Sequence, residues 1–259
     1  MIGTVRALFT IVALVGLSLP LIPVQIVLNR LDHPRKRRLP VFWHRCAARL
    51  IGLRITVEGD MAGERPLLIT ANHVSWLDIV ALSACGPLSF IAKQEVLHWP
   101  AFGYLAKLQR TVFVNRERRS ATGDKADEIA RRLQAGDVMV LFAEGTSSCG
   151  SYVLPFRSAL LGAPQRAAGP QSPVFIQPVA LAYTHLNGMV TNLSDRPFTG
   201  FYGDTDLAPH LFAILKHAAI DVTIRFNEPV AIAADSDRKS VARHLEDTVR
   251  LMKTEALRR

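Results

Sequence analysis

From Ala7 to Leu28 the chain carries no charged side chain, and Leu, Ile, Val, Ala and Phe dominate the run. As a helix these residues extend about 33 Å at 1.5 Å per residue, enough for a hydrocarbon core of roughly 30 Å. The flanks are asymmetric: Arg6 precedes the run, while Arg30 and then Arg35, Lys36, Arg37 and Arg38 follow it. Basic residues stay on the cytoplasmic side, so this reads as inner (cytoplasmic) membrane attachment with all later residues in the cytoplasm. A cleaved signal peptide fits poorly, because the run is too long and lacks a small-x-small exit. Pro20 and Pro23 permit a kinked or re-entrant segment held in one leaflet, so crossing and one-leaflet attachment both stay open.

The 259-residue chain has a net charge of +9. Residues 1–50 contain eight basic residues and the single acid Asp32, so 8 − 1 = +7 of that charge lies in the first fifth. Because this basic patch directly follows the apolar run, it points to a membrane surface and no nucleic-acid partner. Arg35, Lys36, Arg37 and Arg38 are the candidate membrane-binding residues. With 49% apolar and 20% charged residues the chain is not disordered. Cys46, Cys85 and Cys149 are widely spaced, without a C-x-x-C, which disfavours a disulfide framework or a cysteine metal site. Residues 1–38 thus read as a membrane-anchoring segment with a basic flank, and 39–259 as the soluble domain. Residues 39–50 fit an amphipathic helix at the lipid interface and the domain's first helix equally well.

Beyond Leu53, short apolar runs alternate with amphipathic stretches. Strands are predicted at Arg54–Val57, Leu67–Ala71, Leu88–Ala92, Thr111–Val114, Val138–Phe142, Val174–Tyr183 and Val222–Phe226. Helical spacing appears over 124–135, over 206–219 and from about 237 to the C-terminus. The alternation predicts an α/β fold, a mostly parallel twisted sheet flanked by helices, with an N-terminal membrane helix. Residues 147–173, rich in Gly, Ser, Pro and Ala, read as a long functional loop broken at most by a short helix.

Several apolar runs end in reactive chemistry. After Leu67–Ala71 come Asn72, His73 and, five residues past the histidine, Asp78; a carboxylate at that spacing can fix the imidazole tautomer. The run Thr111–Val114 ends in Asn115 and Arg116. The run Val138–Phe142 leads into Glu144, Gly145, Thr146, Ser147 and Ser148, and Val174–Val179 is interrupted by Pro178. In α/β folds such groups converge outside the carboxyl ends of the strands.

Asn-His-x-x-x-x-Asp, Phe-Val-x-Arg, Phe-x-Glu-Gly-Thr and an apolar-Pro-Val block, in this order, resemble the glycerolipid acyltransferases, typified by the bacterial 1-acyl-glycerol-3-phosphate acyltransferases. The resemblance spans roughly residues 50–230. It implies that His73 is the general base toward an acceptor hydroxyl and that Asp78 orients it. It assigns Asn72, Glu144, Gly145, Thr146 and Ser147 to the acceptor site, with Arg116 facing an anionic headgroup. Phosphatidate-forming members usually carry Arg after Glu-Gly-Thr; here Ser147 stands there. Glu-Gly-Thr-Ser-Ser, Leu154–Leu160 and the stretch Tyr202–Leu211 look like the lyso-ornithine lipid O-acyltransferases, whose acceptor lacks phosphorus. Cys149 departs from that subgroup, where an acid is expected.

The resemblance implies an acyl thioester donor, acyl carrier protein or coenzyme A, a lyso-lipid acceptor, and neither cofactor nor metal. An acidic acyl carrier protein also suits the basic surface. Lysophosphatidate remains the alternative acceptor, and a membrane-docked lipid-binding protein without turnover is the non-enzyme alternative. No Gly-x-Ser-x-Gly, P-loop or His-Glu-x-x-His motif occurs.

Overall fold

A computed structural model describes residues 1–115, 119–169 and 173–258. The strands are β1 (Leu53–Glu58), β2 (Leu67–Ala71), β3 (Ser89–Lys93), β4 (Val112–Val114), β5 (Met139–Phe142), β6 (Val174–Leu186), β7 (Met189–Val190), β8 (Ile220–Phe226) and β9 (Val230–Ile232). The α-helices are α1 (Ile2–Arg30), α2 (Arg38–Ile51), α3 (Leu77–Cys85), α4 (Phe102–Leu108), α5 (Arg119–Gln134), α6 (Gly162–Ala167), α7 (Arg196–Thr199), α8 (Leu207–Leu215) and α9 (Arg238–Arg258). All strands join one sheet in the order β1-β8-β6-β2-β5-β3-β4, with β7 and β9 pairing with β6. The β6–β2–β5–β3–β4 block is parallel, and β6 meets β8 antiparallel. This is the predicted mostly parallel α/β architecture, with the apolar strands buried on both faces. One face is covered by α2, α3 and α8, the other by α5, α6 and α9.

Pro178 sits inside β6, where a missing N–H would ordinarily break a ladder. It falls where the antiparallel neighbour changes: β9 pairs with Val174–Ile176, and β8 takes over from Val179. The Gln177 side chain closes that gap, accepting from the Ala62 amide at 3.0 Å and donating to the Asp60 and Asn227 carbonyls at 2.8 Å each. The long 147–173 loop contains a 3-10 turn and α6, as its composition suggested.

The helix α1 does not stand away from the domain. Near its start Arg6 donates to the carbonyls of Leu215 and Ile51. Near its end Gln25 and Asn29 both donate to the Leu108 carbonyl, at 3.2 and 2.9 Å. Midway, Trp43 of α2 donates to Ser18 at 2.9 Å. The helix therefore lies along the domain, antiparallel to α2. The inner face of α2 (His44, Ala47, Ala48, Ile51) is buried, so residues 39–50 form the domain's first helix rather than a free lipid-interface helix. At its C-terminus Gly52 has φ +87°, and a Cβ there would meet the Ala218 carbonyl oxygen at 2.2 Å.

The basic flank needs a correction. Lys36 is buried and paired with Asp32, and Arg37 is bound to the buried Asp137 at 2.7 Å. Arg110 and Arg132 grip the same carboxylate. Of the four candidate membrane-binding residues, only Arg35 and Arg38 present exposed side chains with no ion pair among the described residues.

Candidate active site

Strand register builds the site. Parallel pairing sets Ala71 level with Phe142, so the residues two positions beyond each strand, His73 and Glu144, emerge side by side. The backbone amide of His73 donates to Glu144 Oε1 at 2.7 Å. As β2 ends, Asn72 takes over its hydrogen-bonding role: Nδ2 donates to the Leu181 carbonyl at 3.0 Å, and Oδ1 accepts the Leu181 amide at 2.8 Å.

The chain then turns into α3, and Asp78 in its first turn closes that turn on itself. Asp78 Oδ2 accepts the amides of Val74 at 2.7 Å and Ser75 at 2.9 Å. A carboxylate is favoured there by the helix N-terminus. The same oxygen lies 2.8 Å from His73 Nδ1, so that nitrogen carries the proton and Nε2 is left basic. No described residue hydrogen-bonds to Nε2, and the side chain is 21% exposed. The ring stacks on Phe142 with centroids 3.9 Å apart. A base with one nitrogen oriented and the other open can take a proton from an incoming hydroxyl.

Tyr183 completes the set. It lies on β6 beyond the end of β2 and donates to Asp78 Oδ1 at 2.6 Å. Burial, reinforced by Asp78, pushes its phenol well above the usual tyrosine range, so it remains a donor. Nothing in the local sequence around Tyr183 signals this role, because the pairing spans 105 residues.

The Glu-Gly-Thr-Ser-Ser segment braces the site more than it faces the cleft. Glu144 is 1% exposed, and its second oxygen accepts the Leu154 amide at 2.8 Å. Burial pushes its carboxyl up to about 7. Gly145 turns the chain at φ +75°, a conformation that favours glycine. The Ser148 amide donates to the His73 carbonyl at 2.9 Å, and the Ser147 hydroxyl is bound to the Phe201 carbonyl. Of the residues expected at the acceptor, Asn72 and Glu144 are thus corrected to backbone braces, because both side chains are buried from the cleft and bound to backbone groups. Ser147 is corrected to a loop tie. Thr146 is exposed at the rim, and Arg116 lies outside the described residues.

Close to the base, α1, α2, α3, α4 and α8, with β3 and the turn after it, line a half-open apolar cavity of about 580 Å³. Ile11, Leu14 and Ile22 of α1 form one wall, and Trp76, Phe90 and Leu211 face them. Phe90 lies 6.0 Å from Phe142, the ring beneath His73. Trp76 donates to His210 at 3.1 Å, so the Tyr202–Leu211 segment packs on the catalytic turn. A space of this size and polarity suits an aliphatic chain.

An acyltransferase family model matches residues 54–182, from β1 into β6. The chain is 52% identical over 260 residues to a lyso-ornithine lipid O-acyltransferase of Brucella abortus, covering 99% of this chain and 97% of that one. It is 43% identical to the protein of that name from Rhizobium meliloti, with 100% and 89% covered. The crystal structure of a 1-acyl-sn-glycerophosphate acyltransferase from Thermotoga maritima superposes with a TM-score of 0.68 at 20% identity, covering 99% of this chain and 95% of that one, a likeness of fold. Identity of this extent along nearly the whole length shows that the chain belongs to the acyltransferase family, and the protein is an acyltransferase.

Proposed function

We propose that the protein transfers a fatty acyl group from an acyl thioester to the hydroxyl of lyso-ornithine lipid, forming ornithine lipid at the cytoplasmic face of the inner membrane. The observation that carries the mechanism is the His73 Nδ1–Asp78 Oδ2 contact at 2.8 Å with Nε2 open to the cleft. Nε2 takes the proton of the acceptor hydroxyl as its oxygen attacks the thioester carbonyl. Asp78 stabilises the imidazolium, which then returns the proton to the departing thiolate. The thiolate leaves readily, so the step as written calls for no metal, cofactor or covalent enzyme intermediate.

The acceptor rests on the near full-length likeness to the lyso-ornithine lipid enzymes. The packing of the Tyr202–Leu211 segment on Trp76 puts a stretch characteristic of that subgroup against the catalytic turn. The exposed outer face of α1, with Val5, Phe9, Val12 and Val27, enters one leaflet, while its inner face lines the cavity. The donor is acyl carrier protein or coenzyme A.

The test is acyl transfer by the purified full-length protein, with lyso-ornithine lipid and lysophosphatidate offered side by side and each thioester supplied in turn. Lyso-ornithine lipid is the expected preferred acceptor; preference for lysophosphatidate overturns that assignment. His73→Ala is expected to fold and to lose roughly 10²–10⁴-fold in rate. Substantial activity in the folded variant would sink the mechanism.

A further inference from the structure

The C-terminal helix α9 begins more than fifty residues after the segment matched by the family model, yet it holds the loop behind the base. Glu246, Arg250 and Lys253 are spaced four and three apart, so they share one face of the helix. Lys253 Nζ donates to the Tyr152 carbonyl at 3.0 Å, and Arg250 reaches the Val153 carbonyl at 3.4 Å. The Phe156 amide donates to Glu246 Oε2 at 3.0 Å. Between these grips, the Leu154 amide is bound to Glu144, whose other oxygen holds the His73 amide. Glu144 therefore couples a loop clamped by α9 to the backbone of the base.

Lys253 is the unusual member. Its side chain is buried, 3% exposed, with no carboxylate within 4.0 Å among the described residues. A buried ammonium is costly, and a methionine of similar length would fill the same space without that cost. Its presence is therefore hard to ascribe to stability. The charges around it are those of the site: Glu144, Asp78 and Cys149 favour its charged form, and Arg196 opposes it. Burial brings its ammonium down to about 8, and its charge in turn favours the ionised form of Glu144. Glu144 also faces His73 and the His73 and Leu154 amides.

We propose that Lys253 is a positioning residue for acyl transfer: from α9 it fixes the Tyr152–Phe156 loop and, through Glu144, the backbone of His73. This rests on the reading of His73 as the base. An ionised Glu144 can accept both amides, whereas a protonated one places a hydroxyl hydrogen against a donor. Lys253 thus favours the ionised form of the bridge, against the burial that pushes the Glu144 carboxyl up to about 7.

The test compares wild type, Lys253→Met and Lys253→Arg in the full-length protein, with Glu246→Ala as a rim variant. The methionine variant is expected to lose roughly tenfold to a hundredfold in kcat, with acceptor KM little changed. Its acidic limb should move to higher pH, because ionised Glu144 loses its nearby cation; the arginine variant should keep the limb in place. Amide hydrogen exchange at His73 and Leu154 should accelerate in Lys253→Met and, more weakly, in Glu246→Ala. Wild-type kcat and an unmoved limb in Lys253→Met would overturn the proposal. So would lost activity with unchanged exchange at both amides, or unchanged exchange in Glu246→Ala. Exchange does not depend on turnover, so an active His73→Ala would remove the parent mechanism while leaving the coupling measurable.

Discussion

Tyr183→Phe isolates the support beneath the catalytic pair. Asp78 is wholly buried; its Oδ2 accepts from His73, Val74 and Ser75, whereas its Oδ1 accepts from Tyr183. Removing one hydroxyl therefore strips the hydrogen bond from one oxygen of a buried carboxylate and leaves the other oxygen bound. A hydrogen bond to a charged group contributes about 1.5–3 kcal/mol, and an orphaned buried acceptor sits at the costly end of that range. For a chain of this size each kcal/mol shifts Tm by roughly 2–4 °C, so the variant should melt roughly 3–12 °C lower. The carboxylate also becomes free to swivel about its Cβ–Cγ bond, which loosens the His73 contact and should lower kcat by roughly tenfold while leaving KM nearly unchanged. Thermal melting in detergent and initial acyl-transfer rates on the same preparation read both effects. A Tyr183→Phe protein that melts with wild type and turns over at the wild-type rate would refute the idea that Oδ1 needs its donor.

Ser147→Arg, which would supply the guanidinium common in phosphatidate-forming enzymes, should lower kcat/KM for both acceptors, because it severs the tie to the Phe201 carbonyl; a clean gain with lysophosphatidate would show that this tie is dispensable. His44 on α2 is held neutral by burial, its pKa lowered from 6.5 to about 4, while its Nδ1 donates to the Pro40 carbonyl at 2.8 Å. Below pH 6.5 the unfolded chain takes up a proton there that the folded chain refuses, so about 3 kcal/mol is lost progressively as pH falls from 6.5 to 4. Glu144 acts with the opposite sign, since its carboxyl at about 7 is protonated in the folded state before the unfolded one, so acidification from 7 toward 4.5 favours folding. The two largely offset in wild type, and the stability difference between wild type and His44→Phe should grow in the variant's favour on acidification; a pH-independent difference would contradict the assignment.

What the sequence reveals about this site follows the range of each interaction. Strand β2 was readable residue for residue as Leu67–Ala71, because a short apolar run bounded by polar residues is a local signal. The His73–Asp78 pair spans five residues and was readable for the same reason. Strands β7 and β9 were not, since Met189–Val190 and Val230–Ile232 are too short to show a period. Asn72 and Glu144 misled because a polar residue beside a catalytic histidine looks substrate-facing. Where a buried parallel strand ends, backbone amides need partners, and those side chains supply them. Tyr183 and Lys253 reach the site across more than one hundred residues, a relation that neither periodicity nor spacing records.

The first helix was legible as an apolar helix, but its course along the domain was not. A helix that is apolar all round is what a membrane span requires, and α1 meets that requirement. It is equally what a wall requires when one side faces lipid and the other an apolar cavity. The residues that separate the two cases are the few polar ones. Arg6, Gln25 and Asn29 bind backbone carbonyls of the same domain near opposite ends of the helix. A straight span leading away from the domain would leave at least one of those ends unpartnered in or beyond the bilayer. With both ends tied down, α1 on the proposed one-leaflet placement separates lipid from a cavity bordered by Phe90, which adjoins the ring under His73. On the proposed reaction, that arrangement lets an acyl chain remain in apolar surroundings while only the hydroxyl and the thioester meet the base. The transfer then avoids the cost of exposing the chain to water, about 0.8 kcal/mol per methylene.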